Sequence, residues 1–303
     1  MARHDRGMKR FDIICIGSVL WDIIGHTKVD MRSGADVPGR IRRIPGGVAM
    51  NIAMTFRRFD VTPALLSHVG HDHDGDALLA EAERMGMRTE FVYRSDHLPT
   101  DCYMAIEDPG GLVAAIADAH SLEQAGAHVL TPLTDGTLGS IEAPFAGPIA
   151  LDGNLTTELL HHIATSPIFA KADLRVATAS PGKAERLRAL FDHPNVTFYV
   201  NLEEAGLICG TQFPSAAAGA SGLIAHGARR VLVTDGPRSA AEATGPDLLT
   251  ATPPEVTPQR VTGAGDTFMA AHIAAERVGL ARDAALHLAL KTAATYVSGG
   301  DFE

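Results

Sequence analysis

Positive charge is scarce in this sequence: 26 Lys and Arg stand against 36 Asp and Glu, a formal net charge of −10. Nucleic-acid binding draws on phosphate neutralisation by Lys and Arg, so this balance argues against a nucleic-acid partner. It leaves room for a small phosphate held by backbone N–H groups and a metal ion. Cysteine is scarcer still. Cys15, Cys102 and Cys209 are odd in number, far apart and never in a C-x-x-C pair, so neither a disulfide framework nor a zinc site is expected. Cys15 lies in an apolar run and is expected in the core. No stretch reaches the ~18 uncharged apolar residues of a membrane span. The basic opening MARHDRGMKR has no apolar core of a signal peptide, so a cytoplasmic protein without a membrane partner is expected. Two nucleotide signatures are also missing. No Walker G-K-[ST] follows any glycine loop, and only Gly17 follows the first apolar run where a dinucleotide fold needs G-x-G-x-x-G. The second absence sets an NAD-dependent oxidoreductase aside.

Hydrophobic residues at 46% and charged residues at 20% describe an ordinary globular protein. At 303 residues the chain is near the ~250–300 at which a single core stops growing, so one large domain with an appended piece fits as well as two equal ones. Short apolar runs recur at 11–18, 64–70, 148–154, 174–180, 196–201 and 229–236, each ending in small or polar residues. Segments of helical period lie between them at 46–59, 76–87, 156–166, 183–191 and 215–227. Such alternation predicts a parallel sheet with helices on both faces, and ligands outside the carboxyl ends of its strands. Residues 20–45 and 100–120 break the pattern. The second contains Asp108-Pro109-Gly110-Gly111 between two strand-like runs, a hairpin signal. These pieces are expected to form a small sheet standing off the main domain, either a lid or surface decoration.

Gly263-Ala264-Gly265-Asp266 opens a further alanine-rich helical run. Glycines let backbone approach a ligand closely, and the first turn of a helix offers unpaired N–H donors at the positive end of its dipole. That suits a phosphoryl group, with Asp266 placed to take a proton from an attacking hydroxyl. Helix capping by Asp266 explains the same residues equally well. Gly46 and Gly47 open a helix that carries Asn51, a donor and acceptor suited to a polyhydroxyl ligand, or else mark a plain strand-to-helix turn. Asp22, just past the first strand, can accept two sugar hydroxyls or be an ordinary loop carboxylate. Asn201 and Glu204 share a helical face. They suit the water shell of Mg²⁺, or simple capping. His71-Asp72-His73-Asp74 resembles a metal cluster but has no partner motif, and a solvated turn is favoured.

Taken in order from about residue 11 to 300, these pieces resemble the ribokinase-type (PfkB) family of carbohydrate kinases. The family's G-G-x-x-x-N is similar to Gly46-Gly47…Asn51, and its V-G-x-D-x-x-G to Val69–Gly75. Its N-x-x-E is similar to Asn201…Glu204, and its T-G-A-G-D to Thr262–Asp266. The resemblance implies one α/β domain over 11–303, a Rossmann-type three-layer sandwich with a β-sheet lid from about 20–45 and 100–120, preceded by a disordered 1–10. It implies an ATP- and Mg²⁺-dependent kinase with Asp266 as base and the N–H groups of Gly263, Ala264, Gly265 and Asp266 as the anion hole. Asp22, Gly46, Gly47 and Asn51 would grip the sugar. Asn201, Thr234, Gly236 and Thr262 would bind the nucleotide, and Glu204 would hold the metal through water. A homodimer through the lid is a further expectation.

Within the family, YMAIEDPGGLVAAIADAHSLE, LDGNLTTELL and VTGAGD are most similar to pseudouridine kinases. That implies phosphate transfer to the 5′-hydroxyl of a C-nucleoside. Alternatives are another sugar or nucleoside kinase (ribose, adenosine, fructose) and a non-catalytic nucleoside- or sugar-binding homologue. The departures from the family pattern bear on the nucleotide side. Arg260 replaces an acid that commonly helps hold a monovalent cation, which weakens the case for one. The nucleotide loop Thr234–Ser239 lacks its last glycine, Val200 replaces a proline, and Ala177 stands where an acid is common.

Overall fold

The structure, a computed structural model, describes residues 10–300. The disorder expected for 1–10 therefore falls, save for Arg10, outside the described residues. β1 (Ile13–Ile16) is buried at every position, as a strand covered on both faces must be. Two strands then leave the main body, β2 (Leu20–Thr27) and β3 (Gly39–Gly46), before α1 (Val48–Arg57) and β4 (Pro63–Leu66) return to it. A small parallel pair, β5 (His68–Gly70) and β6 (Tyr93–Ser95), is joined by α2 (His73–Arg84). The hairpin β7 (Cys102–Asp108) and β8 (Gly111–Asp118) follows, then α3 (Ser121–Ala125). The second half adds β9 (Pro148–Asp152), α4 (Thr157–Thr165), β10 (Asp173–Ala177), β11 (Val196–Asn201), α5 (Leu202–Cys209) and α6 (Ala216–Ala225). It closes with β12 (Arg230–Asp235), β13 (Arg238–Thr244), β14 (Asp247–Ala251), α7 (Ala264–Arg277) and α8 (Arg282–Val297).

The main sheet has eight strands in the order β14-β13-β12-β11-β10-β9-β1-β4. Six of them, from β4 to β12, are parallel as expected. Beyond β12, the pairings of β13 on β12 and of β14 on β13 are antiparallel and make the sheet mixed. The sequence pattern missed them because RSAAEAT and DLLTA lack the β-branched and aromatic enrichment of a strand. Packing against α6 and the sheet edge overrides that weak propensity. Of residues 183–191, expected as a helix, all but Phe191 belong to a 3₁₀ stretch, Pro181–Leu190. Its buried residues, Ala184, Leu187 and Leu190, recur every third position, the 3₁₀ period.

Two cores sandwich the sheet. One is formed with α3, α4, α5 and α6, the other with α1, α2, α7 and α8. Cys15 is fully buried in the second, as expected, and burial pushes its thiol pKa far up. Every residue of α7 from Thr267 to Ala275 is buried. Burial of side chains such as Phe268 and Met269 contributes about 1.5–3 kcal/mol each. The helix whose first turn carries Asp266 is thereby fixed along its length.

The second sheet has four strands in the order β3-β2-β7-β8, so the segments 20–45 and 100–120 do come together. Its turn at Pro109-Gly110 lies between β7 and β8 where the hairpin signal put it. Trp21 faces α2, donating its indole N–H to the Asp74 carbonyl at 2.9 Å. Arg43 lies 4.1 Å over that ring and pairs with the Asp74 carboxylate at 2.6 Å. Because neighbouring strand residues alternate faces, Asp22 turns to the opposite side.

Candidate active site

The strand ends and helix starts that converge beside the small sheet explain both glycines of PGGVAMN. A Cβ on Gly46 would sit 2.1 Å from Asp22 Oδ2, and one on Gly47 would sit 2.5 Å from the Ser18 carbonyl oxygen. Both glycines therefore serve close packing of the chain on itself. They press the Asp22 carboxylate against the backbone that leads into α1, and burial raises its pKa to about 6.

At the start of α7 the N-cap is Gly263, in the left-handed region at φ 84, with no side-chain cap. A Cβ there would meet the Tyr296 hydroxyl at 2.7 Å, so both the dihedral and the space require glycine. The Tyr296 hydroxyl donates to the Thr262 carbonyl at 2.8 Å. Arg260 donates to the Tyr296 carbonyl at 2.9 Å and lies 3.9 Å over its ring. The residue that departs from the family pattern thus straps the approach to α7 onto α8.

Asp266 does not cap the helix. Its Oδ2 accepts a hydrogen bond from Asn51 Nδ2 at 2.9 Å, so the capping explanation of this acid falls away. The Ala264 N–H is spent on the Val261 carbonyl at 3.0 Å, so the four-residue anion hole implied by the sequence narrows. The N–H groups of Gly265 and Asp266 meet no acceptor among the described residues, as the first turn of a helix allows. A Cβ on Gly265 would meet nothing within 4 Å, so that backbone is open to a ligand. Burial raises the Asp266 pKa to about 7. The Asn51 amide works against the rise, and the carboxylates of Asp152, Glu204 and Asp22 add to it.

Asn201 and Glu204 do cap a helix. Asn201 accepts the Glu204 N–H at 2.9 Å, and Glu204 Oε2 accepts the Asn201 N–H at 2.8 Å. This capping box leaves the Asn201 side-chain N–H₂ without a partner among the described residues. Burial raises the pKa of Glu204, which also accepts from Thr178. The register of β11 on β12 places Thr234 directly beside Asn201. Gly236 stands apart at the exposed turn between β12 and β13, where Asp235 and Arg238 pair at 2.6 Å. In the His71–Asp74 stretch, Asp72 caps α2 by accepting the Gly75 N–H at 2.6 Å, and His71 pairs with Asp96.

The sequence reading passed over Asp152. It is fully buried, yet its carboxylate accepts the N–H of Ser18 at 2.7 Å, of Ala49 at 3.2 Å and of Asn154 at 2.8 Å. The available signal was an acid closing the apolar run PIALD before Gly-Asn, at a strand's carboxyl end.

The family model described as pfkB family carbohydrate kinase matches residues 10–300. An uncharacterized sugar kinase of Escherichia coli (strain K12), YeiI, is 30% identical over 268 residues, 85% of this chain and 70% of that protein. The pseudouridine kinase of Arabidopsis thaliana is 28% identical over 120 residues, 39% of this chain and 30% of that protein. That of Escherichia coli is 30% identical over 107 residues, 35% of this chain and 34% of that protein. Among solved structures, a carbohydrate kinase from Agrobacterium tumefaciens is similar at TM-score 0.78, with 24% identity over 94% of this chain and 90% of that one. Arabidopsis thaliana ribokinase complexed with ribose and ATP gives TM-score 0.76 and 19% identity, over 94% and 92%. These likenesses show a ribokinase-like α/β fold. The chain belongs to the pfkB family of carbohydrate kinases, phosphotransferases with an alcohol group as acceptor.

Proposed function

We propose that this protein transfers the γ-phosphoryl group of ATP to the primary hydroxyl of a nucleoside, converting pseudouridine to pseudouridine 5′-phosphate. The observation that carries the chemistry is the Asn51–Asp266 hydrogen bond beside the open N–H groups of Gly265 and Asp266. Asp266 takes the proton of the acceptor hydroxyl as its oxygen bonds to the γ-phosphorus. The bond from that phosphorus to the bridging oxygen breaks, and ADP leaves. Gly265 and Asp266 donate N–H bonds to the phosphoryl oxygens at the positive end of α7. Asp22, the backbone of Gly46 and Gly47, and Asn51 Oδ1 hold the sugar hydroxyls. Asn201, Thr234 and Thr262 serve the nucleotide, with the Asn201 N–H₂, unpartnered among the described residues, as donor, and Gly236 reaches it only from the exposed turn beyond them. Glu204 already accepts from Asn201 and Thr178, so it fits a role on Mg²⁺ through water better than direct ligation. Mg²⁺ supplies neutralisation of charge on the transferred group.

Support for pseudouridine comes from the partial likeness to two pseudouridine kinases and from the segments 103–123 and 151–160. A second reading is a sugar- or nucleoside-binding homologue with a weakened nucleotide side. It is favoured by the Asp235–Arg238 pair, which closes the turn where the loop's last glycine is missing.

The test is ADP release from ATP and Mg²⁺ over pseudouridine, uridine, adenosine, ribose and fructose, with Asp266→Asn as control. Turnover of pseudouridine above the others, lost by at least ~10²-fold in the variant, is expected of a general base. Turnover only of another acceptor sinks the substrate assignment. Ligand binding without any turnover establishes the second reading.

A further inference from the structure

We infer that Asp152 is a positioning residue for phosphoryl transfer, acting through Asn51. It joins three segments that are remote in sequence and adjacent at the site. Oδ2 accepts from Ser18 in the turn after β1 and from Ala49 in the first turn of α1, while Oδ1 accepts from Asn154 after β9. The Asn154 side chain also donates to Oδ2 at 3.3 Å, so each hydrogen bond to this carboxylate comes from a donor.

The surroundings are built to admit the carboxylate. Gly17 has φ 145, and a Cβ there would lie 2.2 Å from the Asp152 carboxyl carbon. The Gly17 carbonyl is held in turn by the Ser67 hydroxyl at 2.5 Å. A fully buried carboxylate costs several kcal/mol of desolvation and is a poor means of stabilising a fold on its own. What this one secures is the orientation of α1. Ala49 is bound by its N–H, and two residues later Asn51 begins the helical ladder by donating to the Gly47 carbonyl at 2.8 Å. The Asn51 side chain then reaches Asp266 across the site. Asp152 makes no hydrogen bond to Asp266 or to the open N–H groups, so apart from the charge it adds near Asp266 its hold on the site passes through the helix.

The inference rests on the phosphotransferase reading with Asp266 as base. Its test is a double-mutant cycle of Asp152→Asn and Asn51→Ala, read as kcat/KM and kcat with whichever acceptor the wild type turns over. Asp152→Asn should lower kcat/KM at least ~10-fold, with most of the loss in kcat. In the Asn51→Ala background the same change should cost less than ~2-fold, because the residue it acts through is gone. Equal losses in both backgrounds overturn the inference, and so does an unchanged kcat/KM in the single variant. Should Asp152→Asn fail to fold, Asn154→Ala replaces it in the cycle. That change removes a donor to the same oxygen, and the same loss of effect in the Asn51→Ala background is expected. Turnover that survives Asp266→Asn would instead sink the reading of Asp266 as base, while the cycle still reports whether Asp152 and Asn51 act as one unit.

Discussion

Asn51 and Asp266 are 215 residues apart in the chain and meet through one hydrogen bond, Nδ2 to Oδ2 at 2.9 Å. The bond joins the first turn of α1 to the first turn of α7 and favours the charged form of a carboxylate whose burial resists ionisation. Burial raises its pKa to about 7, with Asp152, Glu204 and Asp22 adding negative charge nearby, and its own charge in turn raises the pKa of Tyr296. A general base works as the carboxylate, so kcat/KM should rise with pH through about 7. Asn51→Ala removes the donor that lowers this pKa, and the acid limb should move to higher pH. A limb that stays in place or moves down in the variant, measured from acid to mildly alkaline pH, would show that this carboxylate does not govern the rate.

Gly46→Ala should test whether Asp22 holds the acceptor. The new methyl would lie 2.1 Å from Asp22 Oδ2, so the carboxylate must swing away. KM for the acceptor should rise by roughly 10-fold, the range of one lost hydrogen bond to a charged group. KM for ATP should change little. Equal increases in both KM values would mean general disruption of the strand rather than loss of the sugar contact.

The main features of fold and site were legible because they rest on local rules. Alternating runs gave the parallel sheet, Pro109-Gly110 gave the hairpin, and the glycine-rich start of α7 gave the site of Asp266. What escaped depends on tertiary context. Strand β13 is built from alanine and polar residues and β14 is a short DLLTA, and only their place at one side of the sheet makes them extended. The acid of PIALD looks like any strand-ending carboxylate until the fold sets Ser18 and Ala49 against it. Conversely, the capping account of Asn201 and Glu204 holds, whereas the same account of Asp266 fails because Gly263 takes that position.

Beneath the far half of α7 lies a buried charge network that should dominate acid stability. Glu242 on β13 is fully buried and accepts from Arg230 at 2.6 Å and Arg282 at 2.8 Å, while Glu276 pairs with Arg175 and Arg230. Burial opposes its charge, yet His272 and the two arginines hold the Glu242 pKa down at about 2. A depressed carboxyl contributes stability that is present above its unfolded value of ~4.3 and lost as pH falls toward the folded one. Unfolding free energy from urea titrations should therefore drop between pH ~5 and 2. Glu242→Gln should cost about 3–5 kcal/mol at neutral pH, the range for one lost partner of a buried pair. It should also flatten that acid dependence. A variant as stable as the wild type at pH 7 would show that the arginines find other partners.

The face of the small sheet turned away from Asp22 is the proposed seat of a second copy of the chain. β8 is exposed at all eight positions and is one edge of that sheet. Met104 and Ile116 pair directly across β7 and β8 and stay 43% and 69% exposed, and Ile41 on β3 is 79% exposed. Register places these three on the Trp21 face, since Met104 pairs with Ile23 and Ile41 with Gly25. An apolar edge strand left open is a site for pairing with another strand, and a two-fold dimer would cover both copies with the same patch. Light scattering after size exclusion should give twice the chain mass for the wild type. Ile116→Lys, which sets a charge on the exposed edge strand of the patch, should give the single-chain mass without altering the thermal midpoint extrapolated to high dilution. A wild type that stays monomeric across a dilution series, or an Ile116→Lys dimer as tight as the wild type, would rule out this face as the interface.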